Sequence, residues 1–310
     1  MTRPAPDRSR AGDPAGPAGI AWLWWEAARA RTLPAAVAPV AMGVALAAAD
    51  GVAHAGAALA ALVGAMAIQV GTNFANDYFD FRKGTDHAPK LGRRRLLPSG
   101  LIAPRTMAFA AALAFGLAVL VGLYLVTRGG VPILIVGIAS ILAGVLYTGG
   151  PMPYGYRGLG DVFVLAFFGP VAVAGTYYVQ AQTLGWVPVV AGFGPGLVAV
   201  AILAVNNLRD APNDMLTGKR TLAVILGERF ARHEHAATIV AGVAGVPLLL
   251  VLAGAAGPWA LLPLLALWPA WGVIRTVQVE TDSDRLNLAL ARTGQVLVIF
   301  AVLFCVGWLI

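Results

Sequence analysis

The feature that most constrains this chain is a series of nine apolar stretches. They cover 33–50, 55–78, 105–127, 130–149, 159–181, 186–209, 236–254, 257–277 and 290–310. Each is close to the ~20 residues needed to cross the ~30 Å hydrocarbon core of a bilayer as a helix. Their centres are almost free of charge. In lipid every backbone N–H and C=O must be satisfied internally, so only helices or closed barrels can span. Long unbroken apolar runs fit helices, and the alternating short segments of a barrel are absent from the sequence. Charged residues make up 12% of the chain, about half the ~25% of a soluble domain. These observations predict an all-α integral membrane protein of about nine transmembrane helices.

The surplus charge fits that reading. The net charge is +7, which in a soluble chain would raise the question of nucleic acid. With the N-terminus placed in the cytoplasm, every Lys and Arg of the 22 except Arg128 falls on the cytoplasmic side. That is the positive-inside pattern. It predicts a multi-pass protein of the cell (plasma) membrane, with the N-terminus and two long polar loops (79–104 and 210–235) inside and the C-terminus outside. No nucleic-acid partner is expected.

Residues 1–19 are rich in Pro, Gly and Arg, have no apolar core, and are expected to be a disordered cytoplasmic tail. Residues 20–310 are expected to form one transmembrane domain. Its first part, 20–31, mixes Trp22, Trp24 and Trp25 with Glu26, Arg29 and Arg31, as an interfacial helix does. The single cysteine, Cys305, excludes an internal disulfide framework.

The chain has only 15 acidic residues, and several cluster on the predicted cytoplasmic face. Within GTNFANDYFDFRKGTD, Asn73, Asp77 and Asp80 stand at i, i+4 and i+7, one face of a helix. Asn76 and Asp86 lie beside them. Within NNLRDAPNDMLTGKRTLAV, Asn206, Asp210 and Asp214 stand at i, i+4 and i+8. Pro212 is expected to break the helix there, leaving the direction of Asp214 open. The pattern Asn73-x-x-x-Asp77 recurs as Asn206-x-x-x-Asp210, each at the cytoplasmic end of an even-numbered helix. This is a faint parallel repeat.

Carboxylates at the edge of the hydrocarbon are costly unless paired or metal-bound. Salt-bridged loop charges are the bland reading. The sharper one is that two facing groups of hard oxygen donors suit Mg²⁺, which binds through one or two carboxylates plus substrate phosphates. The metal set is then Asn73, Asp77, Asp80, Asp210 and Asp214. Arg82, Lys83, Arg93, Arg94, Arg95, Arg209, Lys219 and Arg220 are near enough in sequence to take up phosphate charge.

These motifs resemble the UbiA superfamily of intramembrane prenyltransferases. Asn73 to Asp86 is similar to its first aspartate-rich motif, and Asn206 to Val224 to its second. Three further stretches resemble the 1,4-dihydroxy-2-naphthoate polyprenyltransferase branch: RTLPAAVAPVAMG (Arg31 to Gly43), YTGGPMPYGYRGLGDVFVLAFFG (Tyr147 to Gly169) and TYYVQ (Thr176 to Gln180). Residues 91–100, LGRRRLLPSG, depart from the branch, which more often has a Gly-Pro step before a single Arg.

The resemblance implies a bundle around a central cavity open toward the cytoplasm and the lipid. It also implies Mg²⁺-dependent transfer of a polyprenyl group from polyprenyl diphosphate to 1,4-dihydroxy-2-naphthoate. The product would be a demethylmenaquinone, with loss of the ring carboxylate. On that basis Asp77, Asp80, Asp210 and Asp214 hold the metal, and Asn73 and Asn206 add oxygens or orient them. Lys83, Arg209 and Lys219 hold the diphosphate, and Asp86 binds metal directly or through Lys83. Tyr147, Tyr154 and Tyr156 offer ring faces to an allylic cation. Asp161 pairs with Arg157, orients the aromatic acid, or acts as base. The rivals are a related enzyme using 4-hydroxybenzoate or homogentisate, and a secondary transporter. The transporter would show ionisable groups at the midplane of broken helices.

Overall fold

The computed structural model describes residues 17–85 and 96–310. Asp86, His87, Arg93, Arg94 and Arg95, and most of the predicted tail, lie outside these. Among the described residues there is no strand, and eight helical stretches are long and apolar enough to cross a bilayer. The protein is a multi-pass membrane protein.

The chain begins with α1 (Pro17–Ala27). Leu23 and Ala27 are buried against Phe74 and Ala75, while Trp22 and Trp25 stay exposed. Trp24 meets the Phe74 ring edge-on at 5.5 Å. Arg29 then adopts φ 53°, ψ 53°, a left-handed conformation rare for a side-chain-bearing residue. A short 3₁₀ turn, Ala30–Thr32, leads into α2 (Pro34–Ala49). Pro34 opens α2 where its missing N–H costs nothing. His54 caps α3 (Ala55–Arg82) by accepting a bond from the Ala57 N–H at 3.1 Å.

The third helical stretch, α4 (Pro104–Leu146), has 43 residues. At 1.5 Å per residue that is about 65 Å, twice the hydrocarbon thickness. It is broken at Gly130, whose φ 63° and ψ −152° are not helical. Pro132 follows and cannot supply a ladder N–H. A Cβ placed on Gly71 would meet the Phe115 ring at 3.0 Å, and one on Gly144 would lie 3.7 Å from the same ring. Residues 115 and 144 therefore face one another on either side of Gly130. The stretch is a hairpin of two segments, which accounts for the difference between eight stretches and the nine predicted.

Next come α5 (Gly160–Phe167) and α6 (Pro170–Ala181), two halves of one predicted span interrupted at Phe168 and Gly169. A Cβ on Gly169 would sit 2.8 Å from the Gly192 carbonyl oxygen and 3.1 Å from the Gly196 Cα. The break thus lies flat on the backbone of α7 (Trp186–Leu216), the small-residue contact that membrane helices use. The expected break at Pro212 does not occur: α7 runs through both Pro195 and Pro212 to Leu216.

After α8 (Leu222–Ile225), α9 (Glu228–Val240) passes through a π-helical turn, Ala241–Gly245, into α10 (Val246–Leu252). Pro247 lies just past that turn, so the wider spacing relieves its clash with the preceding carbonyls. A 3₁₀ stretch Pro258–Ala266 continues into α11 (Leu267–Val279), and α12 (Ser283–Leu309) closes the bundle. The main core joins Met42 and Leu46 of α2, Val173 of α6, Val198 and Val205 of α7, Ile239 of α9 and Phe300 and Phe304 of α12. The outer face of α4 leaves Phe109, Leu120 and Ile135 exposed, as a lipid-facing surface does.

Candidate active site

The two Asn/Asp motifs end on opposite walls of one cavity of about 400 Å³. Asn73, Asn76, Asp77 and Asp80 line it from the last turns of α3. Asn206, Arg209 and Asp210 line it from α7. Tyr147, Thr148, Tyr154 and Lys219 complete the polar end. The rest of the wall is apolar, with Val136, Ile141, Phe163, Phe167, Ile202 and Leu203 among its residues. An amphiphile with a charged head and a hydrocarbon tail fits such a chamber.

Each carboxylate has a partner. Asp77 Oδ1 accepts a bond from Arg29 Nη2 at 2.6 Å. The left-handed turn at Arg29 aims that side chain inward from the end of α1. Asn73 secures the same turn by donating to the Ala28 carbonyl at 2.9 Å. Asp80 Oδ1 accepts from the Tyr156 hydroxyl at 2.6 Å, and Thr85 lies 3.1 Å from that hydroxyl. Burial first, then the adjacent Asp80 charge, holds the Tyr156 pKa above the ordinary phenol value.

On the other wall Arg209 grips Asp210 with two bonds, from Nε at 2.9 Å and Nη2 at 2.8 Å. It also donates to Asn206 Oδ1 at 2.8 Å and to Asn287 Oδ1 on α12.

The predicted site residues thus separate into two sets. Asn73, Asp77, Asp80, Tyr147, Tyr154, Asn206, Arg209, Asp210 and Lys219 share the cavity wall. Asp214, Asp161, Tyr156 and Lys83 stand behind it. Asp214 is 1% exposed, and its charge faces Lys219. Burial would lower the Lys219 pKa, but the charges of Asp214 and Asp80 outweigh it and hold the ammonium above the ordinary lysine value.

Lys83 departs from the expectation that it holds a diphosphate. Its Nζ donates to the Thr148 carbonyl at 2.6 Å and the Gly150 carbonyl at 3.3 Å, tying α3 to the turn after α4. Burial lowers its pKa, and the Asp80 charge opposes this. Asp161 does not pair with Arg157. It is buried, Arg157 is exposed, and Asp161 Oδ1 has no hydrogen-bond partner.

The tyrosines also divide. Tyr154 stacks on Phe163 at 3.9 Å and meets Tyr147 edge-to-face at 5.3 Å, giving a continuous aromatic wall. Its hydroxyl is fixed on the Ala143 carbonyl at 2.8 Å. Tyr156 instead carries cations, with Lys83 Nζ 5.0 Å and Lys219 Nζ 5.3 Å from its ring centroid.

Sequence reasoning passed over three contributors. Arg29 reads as a headgroup anchor among tryptophans, and only the fold turns it onto Asp77. Thr148 sits in the quoted Tyr147–Gly169 stretch and donates to Asn76 Oδ1 at 2.8 Å. Asn287 is one polar residue near the start of α12, and no spacing links it to Arg209.

The donor set suits a hard divalent cation. Among the described residues no group of three or more His, Cys, Asp or Glu is placed to hold a metal. Mg²⁺ does not need one, because it uses one or two carboxylates and fills its octahedron with phosphate oxygens and water. Each wall offers carboxylate and amide oxygens in that number.

Fold and site together define a membrane-embedded chamber whose polar end sets carboxylates and cations against an apolar wall. Residues 36–293 match the model of the UbiA prenyltransferase family, and the chain belongs to that family. It is 39% identical over 279 residues to a 1,4-dihydroxy-2-naphthoate octaprenyltransferase of Mycobacterium tuberculosis, covering 90% of this chain and 94% of the relative. It is 38% identical to the Escherichia coli protein of the same name, covering 92% and 94%. Among solved structures, a UbiA homologue from Aeropyrum pernix superposes with a TM-score of 0.68 at 15% identity, over 87% of this chain and 97% of that one. A homologue from Archaeoglobus fulgidus bound to DMAPP and Mg²⁺ gives 0.61 at 14%, over 92% and 98%.

Proposed function

We propose that this protein transfers a polyprenyl group from its diphosphate to 1,4-dihydroxy-2-naphthoate, with loss of the ring carboxylate, giving the reduced, quinol form of a demethylmenaquinone. The observation that carries the reading is the convergence of both Asn/Asp motifs on one cavity whose other walls are apolar. The names of the curated relatives support the choice of acceptor. The A. fulgidus homologue supports the choice of prenyl diphosphate and Mg²⁺.

In this reading Asp77, Asp80 and Asp210 would hold Mg²⁺, with Asn73 and Asn206 as neutral donors or orienters. The metal supplies charge neutralisation for a departing diphosphate. Arg29 and Arg209, which stand against Asp77 and Asp210, would bind phosphate oxygens of the donor, as a guanidinium does well. Lys219, held protonated by Asp214, lies at the same end of the chamber. Asp214 therefore acts through Lys219.

As the C1–O bond breaks, its electron pair leaves with the diphosphate and C1 becomes an allylic cation. Water would capture that cation, and the apolar wall excludes water. The Tyr147–Tyr154–Phe163 wall stabilises it by about 0.5–2 kcal/mol per ring face. The electron-rich ring of the acceptor donates a pair to C1, and its carboxylate leaves as CO₂. Asp161, buried behind Tyr147, keeps the roles of acceptor-orienting group and base. The site faces the cytoplasm and the C-terminus lies outside, in a plasma membrane, as the positive-inside charge pattern argues.

The test is an assay of purified protein with dihydroxynaphthoate, a polyprenyl diphosphate and Mg²⁺, following diphosphate and CO₂ separately. Equal release of both is expected. No turnover with any aromatic acid overturns the enzyme reading. Diphosphate release without CO₂ moves the enzyme to another branch of the family, such as one that uses 4-hydroxybenzoate.

A further inference from the structure

A second hollow lies on the outside of the bundle. It is an open groove of about 660 Å³ between the start of α2 and the first half of α12, lined by Arg31, Pro34, Leu288, Gln295, Val298 and Ile299 among others. The cavity described above is separate from it. The turn Ala30–Thr32 and α12 stand between the two, with Thr32 and Leu290 facing the cavity and Arg31 and Leu288 facing the groove. The two elements touch where a Cβ on Gly294 would meet the Arg31 carbonyl oxygen at 3.4 Å.

Three properties of the groove point to one occupant. First, its floor is apolar and open to the outside: Leu288, Val298 and Ile299 are 50%, 42% and 38% exposed. Second, two cations stand beside it. Arg31 is exposed at the mouth, and the exposed Arg292 stands one helical turn from Leu288 on α12. Neither makes an ion pair or side-chain hydrogen bond among the described residues, whereas Arg285, two turns before Arg292 on α12, is paired with Glu280. Third, the direction is right. From Arg292 to Ile299 is seven steps of helix, about 10 Å, leading from the arginines into the apolar part of the groove.

We propose that this groove binds one anionic phospholipid from the leaflet on the active-site side. Arg31 and Arg292 take the phosphate, Gln295 bonds to the ester region, and one acyl chain lies along Val298 and Ile299. A zwitterionic lipid brings its own cation to the same place and is repelled by both arginines. An anionic head group is the complementary charge.

The test is native mass spectrometry of the full-length protein released from micelles containing equal phosphatidylglycerol and phosphatidylcholine. The wild type should retain phosphatidylglycerol at least fivefold over phosphatidylcholine, and Arg31→Gln with Arg292→Gln should bring the ratio near one. Equal retention by the wild type overturns the proposal. So does an unchanged preference in the double variant, which would place the anionic lipid elsewhere. Displacement of the lipid by free glycerol phosphate at the same concentration also overturns it, because the acyl groove would then contribute nothing. A measurement on the wild type covers a variant that fails to fold. A phosphatidylglycerol with a photoreactive acyl chain should label the α12 segment holding Val298 and Ile299, and labelling confined to other helices overturns the site.

Discussion

The two Asn/Asp motifs read alike and are held differently. The α7 motif carries its own clamp: Arg209, one residue before Asp210, grips that carboxylate twice and reaches Asn206 within the same helical turn. The α3 motif has no such neighbour. Its Asp77 depends on Arg29, 48 residues away, and its Asp80 on Tyr156, 76 residues away. One wall of the site is thus set largely within one helix, with Asn287 of α12 as its distant partner. The other exists only once α1, α3 and the 147–156 turn have assembled. The contrast teaches that a sequence repeat conserves donor atoms without conserving what positions them.

Breaking either wall at its carboxylate should have the largest and most symmetrical effect. Asp77→Ala and Asp210→Ala are each expected to lower prenyl transfer by at least about 100-fold, with gel filtration showing a folded protein. A near-normal rate in either variant removes the shared metal site.

The next variants separate the walls. Arg209→Ala removes the positioning of Asp210, Asn206 and Asn287 together. A loss of about 10–100-fold, with a raised Mg²⁺ requirement, is expected in a magnesium titration. Tyr156→Phe removes one charge-assisted bond to Asp80, worth about 1.5–3 kcal/mol at most. Roughly tenfold lower kcat/KM with a fall of a few degrees in melting temperature is the expected result. An effect of Tyr156→Phe equal to that of Arg209→Ala would erase the distinction between a distributed wall and a local one.

The smallest effect concerns stability. A double-mutant cycle of Arg29→Ala and Asp77→Ala should give a coupling of about 1 kcal/mol or less by denaturation in detergent, because Arg29 is partly solvated. A coupling several times larger would make that ion pair a structural anchor instead of an exchangeable partner.

Much of this was legible in the sequence. In lipid, backbone satisfaction forces helices, so apolar length alone located the spans. Scarcity of charge made Asp77, Asp80 and Asp210 conspicuous, and helical period placed each with its Asn on one face. The hairpin at Gly130 was legible as two spans. Periodicity did not reveal that α7 stays helical through Pro212. That outcome depends on packing around the proline, which can override an intrinsic preference.

The sequence by itself therefore determined a helical membrane bundle with two like-facing acidic motifs, because hydrophobicity and helical period are local properties. Only the tertiary structure decided that Arg29 turns inward, that Lys83 is held by backbone carbonyls, and that Asp214 is buried behind the wall beside Lys219. Those are contacts between distant segments. Their geometry is fixed by how helices pack, and no local spacing encodes it.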